Sequence, residues 1–295
     1  MLDAILWVLG NIAQSFVNIG WAIANIGTWA NLSDTTRLPR VIYYGASTEF
    51  FFALLTIFLV FTAAGLVFRP LLWGAVRALE GFANGIGRFF AWAGLLMVLQ
   101  QVIIIFLQRI FRVSAIEIGP FGYTFSRDLS WWSEELKLYN AIIVCLCISY
   151  TFVQGGHVRV DLFYAQARFR TKRLIDMFGA LFFMMPVAVL TWLYAWFFLW
   201  RSLVVPRVSA SETLVQLERK GPLLRWQVET IGFSPNGFDA YFLFKVLILA
   251  YCALVFLHAI AVFYRALLEY IEGPESEGRY LDRDPVSDAA APQTH

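Results

Sequence analysis

Residues 131–161 read WWSEELKLYNAIIVCLCISYTFVQGGHVRVD, two tryptophans and two glutamates followed by an apolar run and a polar, basic end. A helix needs about 20 apolar residues to cross the hydrocarbon core of a bilayer, which is roughly 30 Å thick. The stretch therefore predicts one membrane crossing that still carries both of its water-facing ends.

The whole chain is too apolar for a soluble protein. Hydrophobic residues make up 59% of its 295 residues and charged residues only 15%. Soluble domains have about 45–50% apolar and about 25% charged residues. We therefore predict an all-α integral membrane protein that crosses the bilayer several times. The net charge of +2 is close to neutral and argues against a nucleic-acid partner.

The apolar runs place the crossings along the chain. Runs long enough to cross the bilayer occupy about 4–31, 41–68, 89–111, 137–155, 174–200 and 239–264. Pro186 lies inside one of them and predicts a kink in that helix.

The segments between the runs divide the chain into regions. Residues 69–88 have apolar side chains at helical spacing and predict a surface-lying helix that joins the first two runs to the rest. Loop 201–238 predicts a short amphipathic helix on the membrane surface. We predict an N-terminal extension at 1–88, a four-helix membrane domain at 89–271 and a disordered polar tail at 272–295.

The first apolar run has two interpretations. Asn11, Asn18 and Asn25 lie seven residues apart and so share one face of a helix. The helix either lies in the membrane interface as an amphipathic element, or crosses the bilayer with this amide stripe against another helix. The sequence leaves both open.

The predicted orientation in the membrane rests on one basic segment, because the Lys and Arg residues outside the apolar runs are equally numerous on the two sides of the membrane. The tightest cluster is the hairpin at 156–173, and short basic loops remain preferentially in the cytoplasm. Its basic residues are Arg159, Arg168, Arg170, Lys172 and Arg173. We therefore predict that this hairpin and both termini are cytoplasmic.

Residue types that carry catalytic or cofactor chemistry are sparse. Only His258 lies within an apolar run, whereas a di-haem membrane cytochrome needs several histidines on facing helices. No nucleotide-binding loop, zinc motif or nucleophile elbow occurs in the sequence. The three cysteines lie in apolar runs, where they act as small hydrophobic residues: Cys145, Cys147 and Cys252. We predict a protein that is not an enzyme and binds no cofactor.

Several short motifs occur in a fixed order along the second half of the chain. The run at 89–111 ends in a basic residue, Arg109 or Arg112. Trp132, Glu134 and Glu135 come before the next run, and a Gly-His hairpin follows it, formed by Gly156, His157, Val158, Arg159, Val160 and Asp161. Glu212 and Lys245 come later in the chain. In this order, residues 89–265 resemble the small membrane subunit of tripartite ATP-independent periplasmic (TRAP) transporters, the DctQ-type family.

The resemblance implies a fold and a role. It implies four helices in the bacterial inner membrane, with both termini in the cytoplasm. It implies a non-catalytic scaffold for a large permease subunit, which moves substrate by a sodium-driven elevator motion. A periplasmic substrate-binding protein would deliver the substrate, usually an organic acid. Residues 1–88 depart from the common pattern of the family, and the resemblance implies nothing about them.

Each motif has a structural role as the alternative to a partner contact. Glu134 or Glu135 is expected to pair with Arg109 or Arg112 across the turn between the first two core helices. Alternatively, the two glutamates only favour the positive end of a helix that Ser130 or Ser133 caps, with Trp132 at headgroup level.

The hairpin also has two interpretations. His157, Arg159 and Asp161 are expected to fix the hairpin by local hydrogen bonds rather than to touch substrate. The basic run of Arg168, Arg170, Lys172 and Arg173 either binds anionic lipid headgroups, at about 1 kcal/mol per residue, or acts only as a topogenic signal. The alternative role for the whole protein is a structural or anchor subunit of an unrelated membrane complex, for example in electron transfer.

Overall fold

The protein is almost entirely helical, which confirms the all-α class. The computed structural model describes residues 2–25, 27, 37–118, 125–155, 164, 166–225 and 237–284. In chain order its elements are α1 (Leu2–Ala24), α2 (Leu38–Tyr44), α3 (Thr48–Val67), α4 (Arg69–Arg109), β1 (Ala115–Ile118), β2 (Phe125–Asp128), α5 (Leu129–Leu146), α6 (Ile148–Val153), α7 (Phe169–Gly179), α8 (Met185–Leu203), β3 (Val204–Val205), α9 (Leu214–Lys220), β4 (Leu223–Leu224) and α10 (Phe242–Glu272). The strands form two short antiparallel pairs, β1 with β2 and β3 with β4.

Long apolar helices account for most of the predicted crossings. Among the described residues, five helices are long and apolar enough to cross a membrane: Asp3–Ala24, Thr48–Val67, Arg69–Arg109, Phe169–Leu203 and Phe242–Glu272. The predicted crossing at 137–155 is divided between α5 and α6, which meet at Cys147. The three charged residues Glu134, Glu135 and Lys137 lie in α5, and so it is less apolar than the other five.

Helix α4 differs from its predicted organisation. The surface helix expected at 69–88 and the crossing expected at 89–111 form one continuous helix of 41 residues. Pro70 lies in the first turn, where the missing N–H has no helical partner in any case. No proline follows it before Arg109, so the backbone hydrogen bonds continue through the predicted junction.

Contacts between Cα atoms divide the chain into two compact units. The first unit comprises Met1–Trp73 and Leu190–Gln227, and the second comprises Gly74–Val189 and Val228–His295. The division into regions at 1–88, 89–271 and 272–295 stays a prediction.

In the first unit, α1 packs along α3. Ser15 of α1 is buried, and its Oγ lies 2.5 Å from Oγ1 of Thr56 on α3. Trp7 and Phe52 meet edge to face, with ring centroids 5.3 Å apart. A small hydroxyl pair therefore brings the two helices together, as is typical of helix packing in membranes.

The amide stripe of α1 lies on the side of the helix that packs against α3, as in one of its two interpretations. Asn11 and Asn25 each donate to a backbone carbonyl four residues earlier in α1, at 2.8 Å. The side chains are half-buried on the same face as Ser15. The helix is long and apolar enough to cross, but its amides satisfy their own backbone, because a short polar side chain can reach the preceding turn.

Tryptophans of α8 pack against α2 and the turn after it, also within the first unit. The indole Nε1 of Trp192 donates to the Gly45 carbonyl and that of Trp196 to the Ile42 carbonyl, both at 2.8 Å. A Cβ at Gly45 would overlap the Trp196 ring. Glycine is therefore required at residue 45.

The short helix predicted within loop 201–238 is present as α9. Thr213 and Gln216 form a capping box at its start, and Gly221 ends it with a φ of 54°. Leu217 is completely buried, and Arg40 of α2 pairs with Glu218 at 3.1 Å.

In the second unit, α10 packs against α5, α6 and α7. Its apolar core includes Leu146, Leu247 and Leu254, with Ile86 and Phe90 of α4 beside them. Where α4 meets α6, a Cβ at Gly87 would overlap the Cβ of Tyr150. The glycine lets these two helices approach closely.

The helix that begins with α7 has an irregular turn near the proline. Residues Ala180–Met184 are π-helical, and Pro186 follows two residues later. Proline cannot donate a backbone hydrogen bond, and neighbouring turns adjust to this by local π geometry. The helical path nevertheless continues from Phe169 to Leu203.

Residues 273–284 fold back as ordered chain, contrary to the disorder predicted for the tail. A short 3-10 turn at Pro274–Ser276 follows α10, and Asp282 and Asp284 bond to the helices of the second unit. The composition indicated disorder because it shows the charge of these residues but not their partners. Residues 285–295 of the predicted tail lie outside the described part.

Candidate functional site

The first turns of α5 form a polar cluster with α4 and the chain that leads into α10. We call this the α5 cluster; it comprises Gln100, Arg127, Trp131, Trp132, Glu134, Glu135, Phe238 and Asp239. Asp239 accepts hydrogen bonds from the Trp131 Nε1, at 3.0 Å, and from the Arg127 guanidinium, at 3.1 Å. One carboxylate thus joins the chain before α10 to the start of α5.

Glu134 binds the backbone of the same segment before α10. Its Oε2 accepts a hydrogen bond from the Phe238 amide at 2.9 Å. A Cβ at Gly237 would overlap the Glu134 carboxylate. Glycine therefore allows the carboxylate to approach this backbone, and Glu134 acts as a structural contact.

Glu135 faces α4. Its Oε2 accepts from the Gln100 Nε2 at 3.0 Å, and the same amide nitrogen donates to the Trp132 carbonyl at 3.2 Å. The cap of α5 also differs from the one expected, since the N-cap residue is Asp128 and Ser133 donates to the Leu129 carbonyl.

The predicted pairing of these glutamates with arginine is not formed. In the part of the chain that the structure describes, neither Arg109 nor Arg112 forms an ion pair with Glu134 or Glu135. Glu135 meets α4 at Gln100, and Arg109 lies nine residues further on, about 13 Å along the helix axis. Both arginines are exposed at the end of α4.

Glu212 and Lys245, which belong to the motifs of the family resemblance, both contact other residues of this chain. Glu212 forms an ion pair with Lys220 in the first unit. Lys245 is buried near the start of α10, with its Nζ 5.2 Å from the centroid of the Tyr241 ring. These contacts are structural ones.

The hairpin residues have different positions. His157, Arg159 and Asp161 lie outside the described residues. Arg168 and Arg170 are exposed, and Lys172 lies over the Tyr164 ring, 5.5 Å from its centroid.

Arg173 lies in an internal ion-pair network. It pairs with Glu269 of α10 at 2.7 Å, with Glu277 after α10 at 2.6 Å and with Asp176 at 3.4 Å. This arginine is therefore bound to its own chain, unlike the exposed Arg168 and Arg170.

The network continues to α4 through residues that the sequence analysis did not single out. Arg265 donates to both carboxylate oxygens of Glu80, at 2.7 and 2.6 Å, and lies 3.6 Å from Glu269. Glu80 and Glu269 are both buried. The sequence signal was present, because a charge inside a long apolar helix is expensive and needs a partner.

A second group missed by the sequence analysis holds the tail. Asn84 and Arg88 of α4 and Tyr150 and Gln154 near the end of α6 all bond to residues 282–284. Along α4, Asn84 and Gln100 are 16 residues apart, roughly 24 Å. The α5 cluster and the tail contacts therefore join the helices of the second unit at opposite ends.

In these clusters, the charged and polar side chains bind one another. Their carboxylates accept from Arg, Trp, Tyr, Asn, Gln or backbone donors of the same chain. Among the residues that the structure describes, no group of three or more His, Cys, Asp and Glu side chains could hold a metal ion. The arrangement fixes helices relative to one another within the second unit.

The comparison with protein families identifies one segment. Residues 121–218 match the family described as tripartite ATP-independent periplasmic transporters, DctQ component. The matched segment contains Trp132, Glu134 and Glu135, the Gly-His motif at 156–161 and Glu212, but not Arg109, Arg112 or Lys245. No curated protein and no solved structure matches the chain.

Proposed function

We propose that this protein, in which residues 121–218 match the DctQ component, is the non-catalytic small membrane subunit of a sodium-driven TRAP transporter. It scaffolds a large elevator permease subunit and works with a periplasmic protein that binds organic acids or related solutes. It lies in the bacterial inner membrane with both termini in the cytoplasm. The family match is the observation that carries this proposal.

The polar contacts of the second unit support a scaffolding role. A subunit that supports an elevator motion has to resist relative sliding of its own helices. The α5 cluster joins α4, α5 and the start of α10, and the Arg173–Glu269 and Arg265–Glu80 pairs join α7, α10 and α4. Bonds at both ends of the same helices oppose such sliding.

The outer surface of the second unit also supports it. Phe89 and Trp92 of α4 and Phe182 and Phe183 of the π-helical turn expose more than half of their surface. Apolar faces of this kind suit contact with lipid or with helices of a membrane partner.

One polar contact supports placing the basic hairpin and the C-terminal tail on the same side of the membrane. Arg173, at the end of the predicted hairpin, pairs with Glu277 of the tail at 2.6 Å. At the other end of these helices, the start of α5 bonds to the chain at 238–239.

Co-purification and transport test the proposal together. The tagged protein is expressed together with its neighbouring genes and purified. It is then placed in liposomes in two forms, alone and with the proteins that co-purify with it. We expect a large permease of about twelve helices to co-purify, and sodium-driven uptake to require both subunits and a binding protein. The protein alone should move no solute. Uptake by the protein alone, or a haem- or quinone-linked partner instead of a permease, would overturn the proposal.

We also propose that Arg168 and Arg170 bind anionic lipid headgroups. Both side chains are exposed, whereas Arg173 is occupied by Glu269 and Glu277. At about 1 kcal/mol for each basic residue near the surface, the double variant R168Q/R170Q should lose about 2 kcal/mol and bind phosphatidylglycerol about thirtyfold more weakly than the wild type. Native mass spectrometry in mixed micelles measures this.

R219Q, in the first unit, is the matched control. Unchanged lipid binding in R168Q/R170Q would leave the basic run as a topogenic signal only.

A further inference from the structure

We propose that the second unit contains a carboxylate-binding site, formed by Asn84, Arg88, Tyr150 and Gln154, whose ligand is the chain's own acidic segment at 282–284. Through this site, residues 273–284 act as a strap across the ends of the helices. The proposal goes beyond the transporter assignment and does not depend on it, because it concerns contacts within one chain.

The first carboxylate in the site is that of Asp282. Its Oδ2 accepts from the Asn84 Nδ2 at 2.9 Å, and its Oδ1 accepts from the Arg88 Nη2 at 3.2 Å. The backbone carbonyl of the same residue accepts from the Asn84 Nδ2 at 2.8 Å and from the Gln154 Nε2 at 3.0 Å. The site thus binds both the side chain and the backbone at this position.

Asp284 provides the second carboxylate. Its Oδ1 accepts from the Arg88 Nη2 at 2.8 Å, and its Oδ2 accepts from the Tyr150 hydroxyl at 2.5 Å. Its backbone amide donates to the Gln154 Oε1 at 2.8 Å. Because donors and an acceptor in the site match backbone as well as carboxylate groups, the site recognises an acidic peptide segment and not merely a negative charge.

The beginning of the strap is attached to the other helices. Glu277 pairs with Arg173 of α7 at 2.6 Å, and the Gly278 amide donates to Glu269 of α10 at 3.2 Å. The Arg279 carbonyl accepts from Arg265 at 3.0 Å.

An aromatic contact anchors the middle of the strap. The Tyr280 ring contacts the guanidinium groups of Arg77 on α4 and of Arg279, whose Cζ atoms are 5.0 and 4.9 Å from the ring centroid. With the contacts above, residues 273–284 bond to α4, α6, α7 and α10. The strap is therefore a polar connection shared by these four helices of the second unit.

The charge state of the strap follows from these bonds. The bonds from Arg88 and Asn84 lower the pKa of Asp282, and the bonds from Tyr150 and Arg88 lower the pKa of Asp284. A carboxyl group whose pKa is lowered in the folded state stabilises that state above its ordinary pKa, about 3.9 for Asp, and loses this effect as the pH falls through the lowered value. Arg88 stays charged throughout, so the strap should be fully bound from about pH 5 upward.

Hydrogen–deuterium exchange of the full-length protein in lipid nanodiscs tests the proposal. In the wild type, backbone amides of residues 273–284 should exchange at least tenfold more slowly than an unstructured peptide. In D282N/D284N, and separately in R88Q, exchange in this segment should rise at least tenfold. Peptides from the middle of α10 should keep their wild-type rates, which shows that the variants are folded.

E275Q is the matched control. Glu275 is an exposed carboxylate in the same segment, so this variant removes one negative charge without touching the site, and exchange should stay within twofold of the wild type. Three results would overturn the proposal: unprotected amides in the wild type, a rise below threefold in both site variants, or an equal rise in E275Q.

Discussion

Arg265→Leu is expected to lower the free energy of unfolding by about 3–5 kcal/mol, the usual result of removing one partner of a buried ion pair. Arg265 donates to both oxygens of Glu80, and the two side chains are only 14% and 7% exposed. Without the guanidinium, Glu80 and Glu269 remain as buried carboxylates with a lost partner. The apparent melting temperature in detergent should fall on the order of 10 °C.

Two further variants separate charge loss from a general effect of substitution. Arg69 lies on the same helix as Glu80 but is exposed, so Arg69→Leu should change stability by no more than about 0.5 kcal/mol. Replacing the whole pair, as in E80M/R265L, removes the uncompensated charge of Glu80, while Glu269 keeps its pair with Arg173. The double variant should therefore recover most of the loss. A melting temperature of Arg265→Leu equal to that of Arg69→Leu would contradict the assignment of a buried ion pair.

Gly87→Ala is expected to destabilise the protein by about 1–3 kcal/mol, the typical effect of overpacking a close contact. The new Cβ would overlap the Cβ of Tyr150, which is attached directly to the backbone of α6 and has no rotamer that moves it away. The helices α4 and α6 must therefore separate. The apparent melting temperature measures this loss.

Gly85→Ala is the matched control on the same helix. A Cβ at Gly85 meets nothing within 4 Å. The substitution should therefore be neutral, or stabilise by up to about 1 kcal/mol, because alanine favours helix over glycine. If both alanine variants melted at the same temperature, the close contact between α4 and α6 would not be supported.

Helix lengths and types were predictable, but helix boundaries and partners were less so. An apolar run of 20 or more residues forms a helix in lipid, because its backbone groups have no other partners there. That rule does not show whether a surface helix and a crossing are separate, so a junction was predicted near residue 88, where α4 is continuous. The hydrogen bonds predicted for His157, Arg159 and Asp161 of the hairpin stay predictions.

The candidate contacts of Glu134 and Glu135 show the same division. Their position at the start of α5 suggested contacts with neighbouring segments, and Gln100, Phe238 and Gly237 are the residues that meet them. An arginine was expected because opposite charges attract. The packing of α5 on α4 decides otherwise, because it places Glu135 beside Gln100, and no single-sequence pattern contains that alignment of the two helices.

The sequence by itself determined that this protein is helical and apolar enough for a membrane, and it placed the motifs that match the DctQ component at 121–218. These properties follow from the order of apolar and polar residues along the chain. Only the tertiary structure decided that Glu80 pairs with Arg265 and that Asp282 and Asp284 bind Arg88. These partners are more than 180 residues apart in the chain, so only packing of the helices brings them together. Burial of Glu80 and Arg265 makes each of these two charges depend on the other.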